Sequence, residues 1–464
     1  MGPKRSLAFL GILGIAAVLA SPGCKKKEAA APADASAAAS ATAGGGKIPV
    51  TTASEEARAE FLKGREMVDK LKITDSTAHF ERAVSLDPNF ALAELSLANS
   101  SPTGSGFFEH LGKAVAAADK ASEGERLLIL AAQAGANANT VKQKEHLDAL
   151  IAAYPDDERA QFAMGGYHFG QLNYPEAIAH YRKATEIDPS FSSAFNLLGY
   201  ALRQNGDFAE SEKAFQKYIE LIPNDPNPYD SYAELLMKMG RFEDSIAQYR
   251  KALAIDSNFI ASHVGIAMDL MYMGKPAEAE AEIAQIAQKA RTVAERRNAA
   301  FNLAVLHADS GEMAKALKDV DALQALAQQG NDVPALAGDH TLRGNILLEM
   351  GRADDAQAQF DSALKVTEDS NLSAEVKQNA RLFRHFNAAR VLLRKKDFAG
   401  AKKEATSFQS GAETAGNAGQ IRLAHELNGS IALAEKDYAR AIAELDQASP
   451  QNPYNLYRLC QAHQ

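Results

Sequence analysis

The sequence reads as an all-α protein, a solenoid of stacked antiparallel helix pairs. Three observations predict this. The first is a fixed period. Gly165, Gly199, Ala233 and Ala267 are 34 residues apart, as are Ala177, Ser211, Ser245 and Ala279, and also Tyr181, Phe215, Tyr249 and Ile283. A constant period of this size marks an array of one repeated supersecondary unit. The second is helical patterning inside the period. Phe195, Leu198, Gly199 and Leu202 lie on one helical face, Asn205-Gly206-Asp207 breaks the pattern, and Phe208, Ser211, Phe215 and Tyr218 resume it until Pro223. The third is the recurrence of Gly, Ala or Ser at two places per period. A larger side chain there would hold two crossing helices apart.

Taken in order, the chain begins with a leader. Lys4 and Arg5 precede an apolar run, Leu7 to Leu19, that is too short to span a bilayer. Ser21-Pro22-Gly23-Cys24 follows. This resembles a bacterial lipoprotein signal, which implies cleavage after Gly23 and lipid on Cys24. A conventional secretory signal cut nearby, with Cys24 a passenger, is the other reading. Residues 1–23 are thus expected to be a signal peptide, and residues 24–52 a lipidated Cys with a flexible linker. The linker is rich in Ala, Ser and Gly, with too few large apolar groups to order it. Lys25, Lys26 and Lys27 would lie against anionic head groups.

Residues 53–290 form an N-terminal array, with its first unit from about Ala57, a degenerate second unit interrupted by a Ser/Gly/Pro loop, and strict register from Glu158 to Ala290. Residues 291–464 form a divergent C-terminal array. There the turn residues Gly274, Gly311, Gly351, Lys396 and Lys436 are 37, 40, 45 and 40 residues apart. The stretches Gln328–Pro334 and Gln409–Asn417 are expected to lengthen second helices or loops. One unpaired helix from Asn452-Pro453-Tyr454 closes the array.

The pattern resembles the tetratricopeptide repeat family. The unit from Glu158 to Phe191 supplies the family's small residues in Gly165, Ala177 and Ala184, its aromatic in Tyr181 and its closing Pro189. The resemblance implies a right-handed superhelix of about ten units. It also implies a non-enzymatic scaffold that binds a protein or peptide in the groove lined by the first helices. Likeness to lipidated members implies an exported protein anchored in an envelope membrane, facing the periplasm, with the outer membrane expected. A role in cell-envelope or secretion assembly would follow.

Composition narrows the chemistry. The net charge of −9 argues against nucleic acid as partner. The two cysteines, Cys24 and Cys460, cannot build a disulfide framework. No phosphate-loop, nucleophile-elbow or zinc-protease motif is present, so no catalytic residue, cofactor or metal is expected. Gly44-Gly45-Gly46-Lys47 lacks the hydroxyl residue of a phosphate loop and reads as linker. His263, His340, His385 and His425 share the fourth repeat position, where a hydrogen-bonded packing role is expected rather than metal ligation. Cys460 is expected to be a small buried residue.

The register selects the groove. Ser193, Asn196, Tyr200 and Arg203 occupy inner positions in one unit, and Asp230, Glu234 and Lys238 in the next. Met268 and Met271 offer adaptable apolar contacts. Arg390 and Arg394 stand out in the basic run Arg381 to Lys396, making the groove acidic in the middle and basic toward the C-terminus. Asn345 and Asn387 match two positions of the family's carboxylate clamp, but Leu423 and Leu427 replace its basic pair, which argues against a clamp. The alternative function is a small-ligand or glycan receptor using Tyr200, Tyr232 and Tyr272 as stacking platforms.

Overall fold

The computed structural model describes residues 46–464 apart from Leu71, Pro102 and Gln451. The expected signal peptide, Cys24 and the expected linker up to residue 45 lie outside the described residues. Among the described residues there are helices and no strands. The first units are α1 (Glu55–Asp69) with α2 (Ile73–Leu86), α3 (Ala91–Ser100) with α4 (Gly104–Ala117), and α5 (Glu123–Ala136) with α6 (Thr140–Ala153). The strict units follow as α7 (Glu158–Gly170) with α8 (Tyr174–Ile187), α9 (Ser192–Asn205) with α10 (Phe208–Leu221), α11 (Asn227–Lys238) with α12 (Phe242–Ile255), and α13 (Ile260–Tyr272) with α14 (Pro276–Lys289). The last are α15 (Val293–Asp309) with α16 (Met313–Gln329), α17 (Val333–Glu349) with α18 (Ala353–Glu368), α19 (Ala374–Arg394) with α20 (Phe398–Ala415), and α21 (Ala418–Ala434) with α22 (Tyr438–Leu445). The single helix α23 (Pro453–His463) ends the stack.

One contact defines every pair. A small residue of the first helix meets an apolar one of the second, sixteen positions on. A Cβ on Gly199 would lie 2.7 Å from the Phe215 ring, and one on Gly165 would lie 2.6 Å from the Tyr181 ring. Gly64 and Phe80, and Gly344 and Phe360, repeat the arrangement. Ser211 and Ser245 fasten the same crossings, donating to the carbonyls of Gly199 (2.7 Å) and Ala233 (2.9 Å). The turn residues singled out by sequence are left-handed, including two without glycine's freedom, Lys396 (φ 64°) and Lys436 (φ 67°).

The longer C-terminal period is absorbed by longer helices. Pairs α7 to α14 use helices of 12 to 14 residues, whereas α15 to α21 run from 16 to 21. Packing does not break at residue 290. Tyr249, Ile283, Ile286, Ala299 and Leu306 share one core cluster across it. The stack also closes on itself. Units two and nine touch where a Cβ on Gly104 would lie 2.9 Å from Pro334. Thr140 donates to the Gly416 carbonyl at 2.8 Å, joining unit three to the turn after unit ten.

Residues 47–52, counted with the linker by sequence, run as an extended strap across the first three unit junctions. Three carboxylates divide their oxygens between the local turn and the strap. Asp157 caps α7 with Oδ1 and takes the Ile48 N–H with Oδ2 (2.8 Å). Glu125 completes the α5 capping box with Oε2 and takes the Thr51 N–H with Oε1 (2.8 Å). Asp87 takes the Asn89 N–H with one oxygen and the Thr52 hydroxyl and Ala53 N–H with the other. Ile48 and Val50 pack on the adjoining core clusters.

Gly199→Ala is expected to destabilise the protein by about 1–3 kcal/mol, because the Phe215 ring is fully buried and has nowhere to move. Urea unfolding followed by circular dichroism measures this, and a neutral Gly199→Ala would show that the crossing is not close.

Candidate functional site

The middle of the array does not present the open polar face that sequence suggests. It forms a network in the seams between units. Arg203 pairs with Glu234 (2.9 Å) and lies over the Tyr200 ring at 4.7 Å. The Tyr200 hydroxyl donates to Ser231 Oγ (3.2 Å), and Asn227 Nδ2 donates to the Tyr218 hydroxyl (2.8 Å). Ser262 donates to Asp230 Oδ1 at 2.6 Å. Asn196 is buried. Short helices crossing over small residues bring α9, α11 and α13 close enough to cover these positions. Ser193 lies at the edge and donates to the Asp69 carbonyl (2.9 Å). Met268 is half-buried and Met271 packs on the Tyr249 cluster, while Lys238 is exposed. Of the three tyrosines a small-ligand receptor would use, Tyr200 and Tyr232 commit their hydroxyls to Ser231 and Glu212, and Tyr272 is half exposed, stacked on Phe242.

Burial dominates the electrostatics here. It raises Asp230 to about 8, helped by the neighbouring Glu234 charge and opposed by the Ser262 hydrogen bond. Burial likewise raises Asp269, on α13, to about 7. Both carboxyls are held in a setting that favours the proton.

The C-terminal basic run is mostly neutralised. Arg381 pairs with Glu368, Arg384 faces Asp361 at 3.8 Å, and Lys395 pairs with Asp354. Arg394 is exposed, with its Nη2 3.4 Å from the Glu349 carbonyl. Arg390 differs. Its Nη1 donates to the side-chain carbonyls of Asn345 (2.8 Å) and Asn387 (3.3 Å), and its guanidinium lies over Phe386 at 5.4 Å. Among the described residues no carboxylate is within ion-pair distance of it. Burial lowers its pKa, against the more distant charges of Glu426 and Glu349. The two clamp-like asparagines therefore hold an arginine in place.

The histidines bridge the two helices of a unit. His263 bonds Glu282 (2.6 Å), His340 bonds Gln359 (2.9 Å) and His425 bonds Glu444 (2.8 Å), and His385 joins Glu404 the same way. In the first unit the types are exchanged, with Glu60 on the first helix and His79 on the second (2.7 Å). Each pair is nineteen residues apart, so the repeat register carries the partner's position as well as the histidine's. Burial alone would raise Glu282, but hydrogen bonds from His263 and Arg250 bring it down to about 2. Cys460 is exposed, contrary to expectation, because it sits on a face of α23 that no described helix covers.

Two models of one repeat family match this chain. A model described as Tetratricopeptide repeat matches residues 144–190, 163–226 and 264–331, and a second of the same description matches 227–259. The chain is a tetratricopeptide-repeat protein. Among curated relatives it is 26% identical over 113 residues to Superkiller complex protein 3 of Mus musculus, across 24% of this chain and 7% of that protein. It is 29% identical over 118 residues to the Hsp70-Hsp90 organizing protein of Triticum aestivum, across 25% of this chain and 19% of that protein. The matches thus span less than a fifth of each relative's length. A solved chain of the APC/C hetero-tetramer Cut9-Hcn1 aligns over 88% of this tetratricopeptide-repeat protein and 76% of its own length, at 14% identity and a TM-score of 0.42.

The buried carboxyls set a pH dependence. Asp230 is raised from 3.8 to about 8 on folding, so the folded chain holds its proton more tightly than the unfolded one. The associated stability is complete below the unfolded value and is lost as pH rises toward 8, at up to about 1.4 kcal/mol per pH unit. Asp230→Asn should therefore gain stability relative to wild type as pH goes from 5 to 9. Paired thermal melts test this, and a difference that stays constant with pH would mean that the carboxyl is not raised.

Proposed function

We propose that the solenoid is a non-enzymatic scaffold for a protein or peptide partner, and that Arg390 is an anchor for an acidic group of that partner. The observation that carries the reading is the state of Arg390. A desolvated guanidinium normally takes a carboxylate in the fixed fork geometry of its N–H donors. This one has two amide carbonyls and an aromatic face instead. The Nδ2 groups of Asn345 and Asn387 have no partner among the described residues and would donate to the same ligand. Arg394, exposed one turn on, would steer an acidic segment from solution. The absence of any motif for bond-breaking chemistry in the sequence agrees with a binding role.

Crosslinking in the native membrane should identify the partner, and its acidic segment can then be titrated as a labelled peptide. Arg390→Glu is expected to weaken binding at least about tenfold at any salt concentration, as for a buried charged contact. Arg394→Glu should slow association mainly at low ionic strength. Wild-type affinity in Arg390→Glu would remove this anchor from the reading.

We propose also that the chain is exported and held at an envelope membrane by lipid on Cys24, with the solenoid in the periplasm. The lone leader cysteine directly after the apolar run supports this. Stable anchoring needs two acyl signals or more. Cys24→Ser should therefore release the mature chain into the soluble periplasmic fraction. Retention in the membrane at wild-type yield would overturn the anchor.

A further inference from the structure

The strongest unexplained contact joins the first unit to units four, five and six. Asp69 is the last residue of α1. An acid at a helix C-terminus faces the negative end of the helix dipole, so the position is unfavourable locally. Its carboxylate is instead held across the fold. Arg159, the second residue of α7, grips it with both guanidinium nitrogens, Nη2 at 2.7 Å and Nη1 at 3.3 Å. The Asp69 carbonyl, one of the four that a helix end leaves without an internal donor, accepts from the hydroxyls of Ser192 (3.1 Å) and Ser193 (2.9 Å) at the start of α9. Lys72 sits 4.0 Å from Asp225, just before α11. Phe191 carries the Arg159 guanidinium on its ring at 4.8 Å, which fixes the direction of the fork.

Arg159 and Ser193 hold the same inner repeat position in consecutive units. Asp69, at the end of α1, therefore occupies the groove edge as a ligand would. It shows what that edge recognises: a carboxylate for the Arg159 fork and a neighbouring main-chain carbonyl for two hydroxyls. An aspartate or glutamate in a peptide offers both.

We propose that Asp69, at the C-terminal end of α1, is an intramolecular occupant of a second binding site, made by Arg159, Ser192 and Ser193, whose partner is an acidic peptide segment that displaces it. The proposal deepens the scaffold reading and rests on residues separate from Arg390. The ion pair is suited to exchange. The side chains of Asp69 and Arg159 are 25% and 30% exposed, so an outside carboxylate can reach the pair from solution. The occupant is also tethered, so its effective concentration is high and an outside peptide binds weakly until Asp69 is released. The strap ends on Asp157 and Glu158, next to Arg159. It keeps the start of α7 in place whether or not Asp69 is engaged.

The test uses the mature chain carrying Arg390→Glu throughout, so that the C-terminal anchor cannot contribute. The probe is a fluorescein-labelled hexapeptide of alternating glycine and aspartate, followed by anisotropy. Asp69→Ala should raise its affinity at least tenfold over the Arg390→Glu parent, and adding Arg159→Ala should abolish the gain. A second variant guards against misfolding of the first. Arg159→Glu repels and frees Asp69, and should prefer the lysine analogue of the probe over the aspartate one, a reversal that a purely structural ion pair would not produce. Unchanged aspartate-probe affinity in a folded Asp69→Ala, or no reversal in Arg159→Glu, overturns the proposal.

Discussion

Everything in this molecule depends on how closely two helices of a unit can cross. Among the described residues the contact sixteen residues apart recurs in all eleven pairs, and both of its residues are buried each time. The sizes compensate. Where the first residue is Gly, the second is aromatic in Gly64 and Phe80, Gly165 and Tyr181, Gly199 and Phe215, and Gly344 and Phe360, and is Leu in Gly429 and Leu445. Where the first is Ala, the second shrinks to Ala, Val, Leu or Ile, as in Ala98 and Ala114, Ala304 and Val320, or Ala389 and Ala405. Ala233 with Tyr249 breaks the rule, and Gly265 on the next first helix makes room, since a Cβ there would meet the hydroxyl end of the Tyr249 ring. Close packing at interior density leaves no other solution for a fixed interhelical distance.

This explains what was legible in the sequence. A constraint that depends on two residues at fixed spacing leaves a trace in one dimension. The pairs, the turns and even the left-handed positions of Lys396 and Lys436 follow from register alone. The lengthened C-terminal period was visible too, and it resolves into longer helices because added turns of helix leave the crossing point untouched. Position four shows its histidines, and their partners lie nineteen residues on, on the second helix. What register cannot show is which inner positions remain open. Asn196, Tyr200 and Asp230 satisfy the positional rule for a groove and are nonetheless covered by the neighbouring unit. Arg390 satisfies the same rule and keeps a free side.

Contacts between distant units leave no periodic trace. The strap at residues 47–52 has the composition of a linker at one end and of a β-branched run at the other, and nothing in it announces three receiving carboxylates. Those carboxylates have local duties as caps, which accounts fully for their presence in the sequence. Their second oxygens are available only because a carboxylate accepts at both, and only geometry shows that they are used. Asp69 carries a hint of a distant partner, because an acid is unfavourable at the end of a helix, although Asp309, Glu349 and Glu368 end their helices in the same way.

A simple solenoid has nearest-neighbour energetics, and each unit can fray without consequence beyond the next. Here three sets of contacts add long-range coupling. The strap joins units one to four, Asp69 and Lys72 reach units four to six, and the seam at Gly104, Pro334, Thr140 and Gly416 ties the first turn of the superhelix to the second. Each is small beside the crossings. Their effect is topological, since fraying of the N-terminal units then requires loss of contacts in the middle of the stack. The coupling also works in reverse. A ligand that replaces Asp69 at Arg159 removes one of those ties, so occupancy of the groove edge bears on the stability of a unit that lies far away in sequence. That linkage between a binding site and a distant repeat follows from where the chain folds back, and a straight stack with the same helix pairs would lack it.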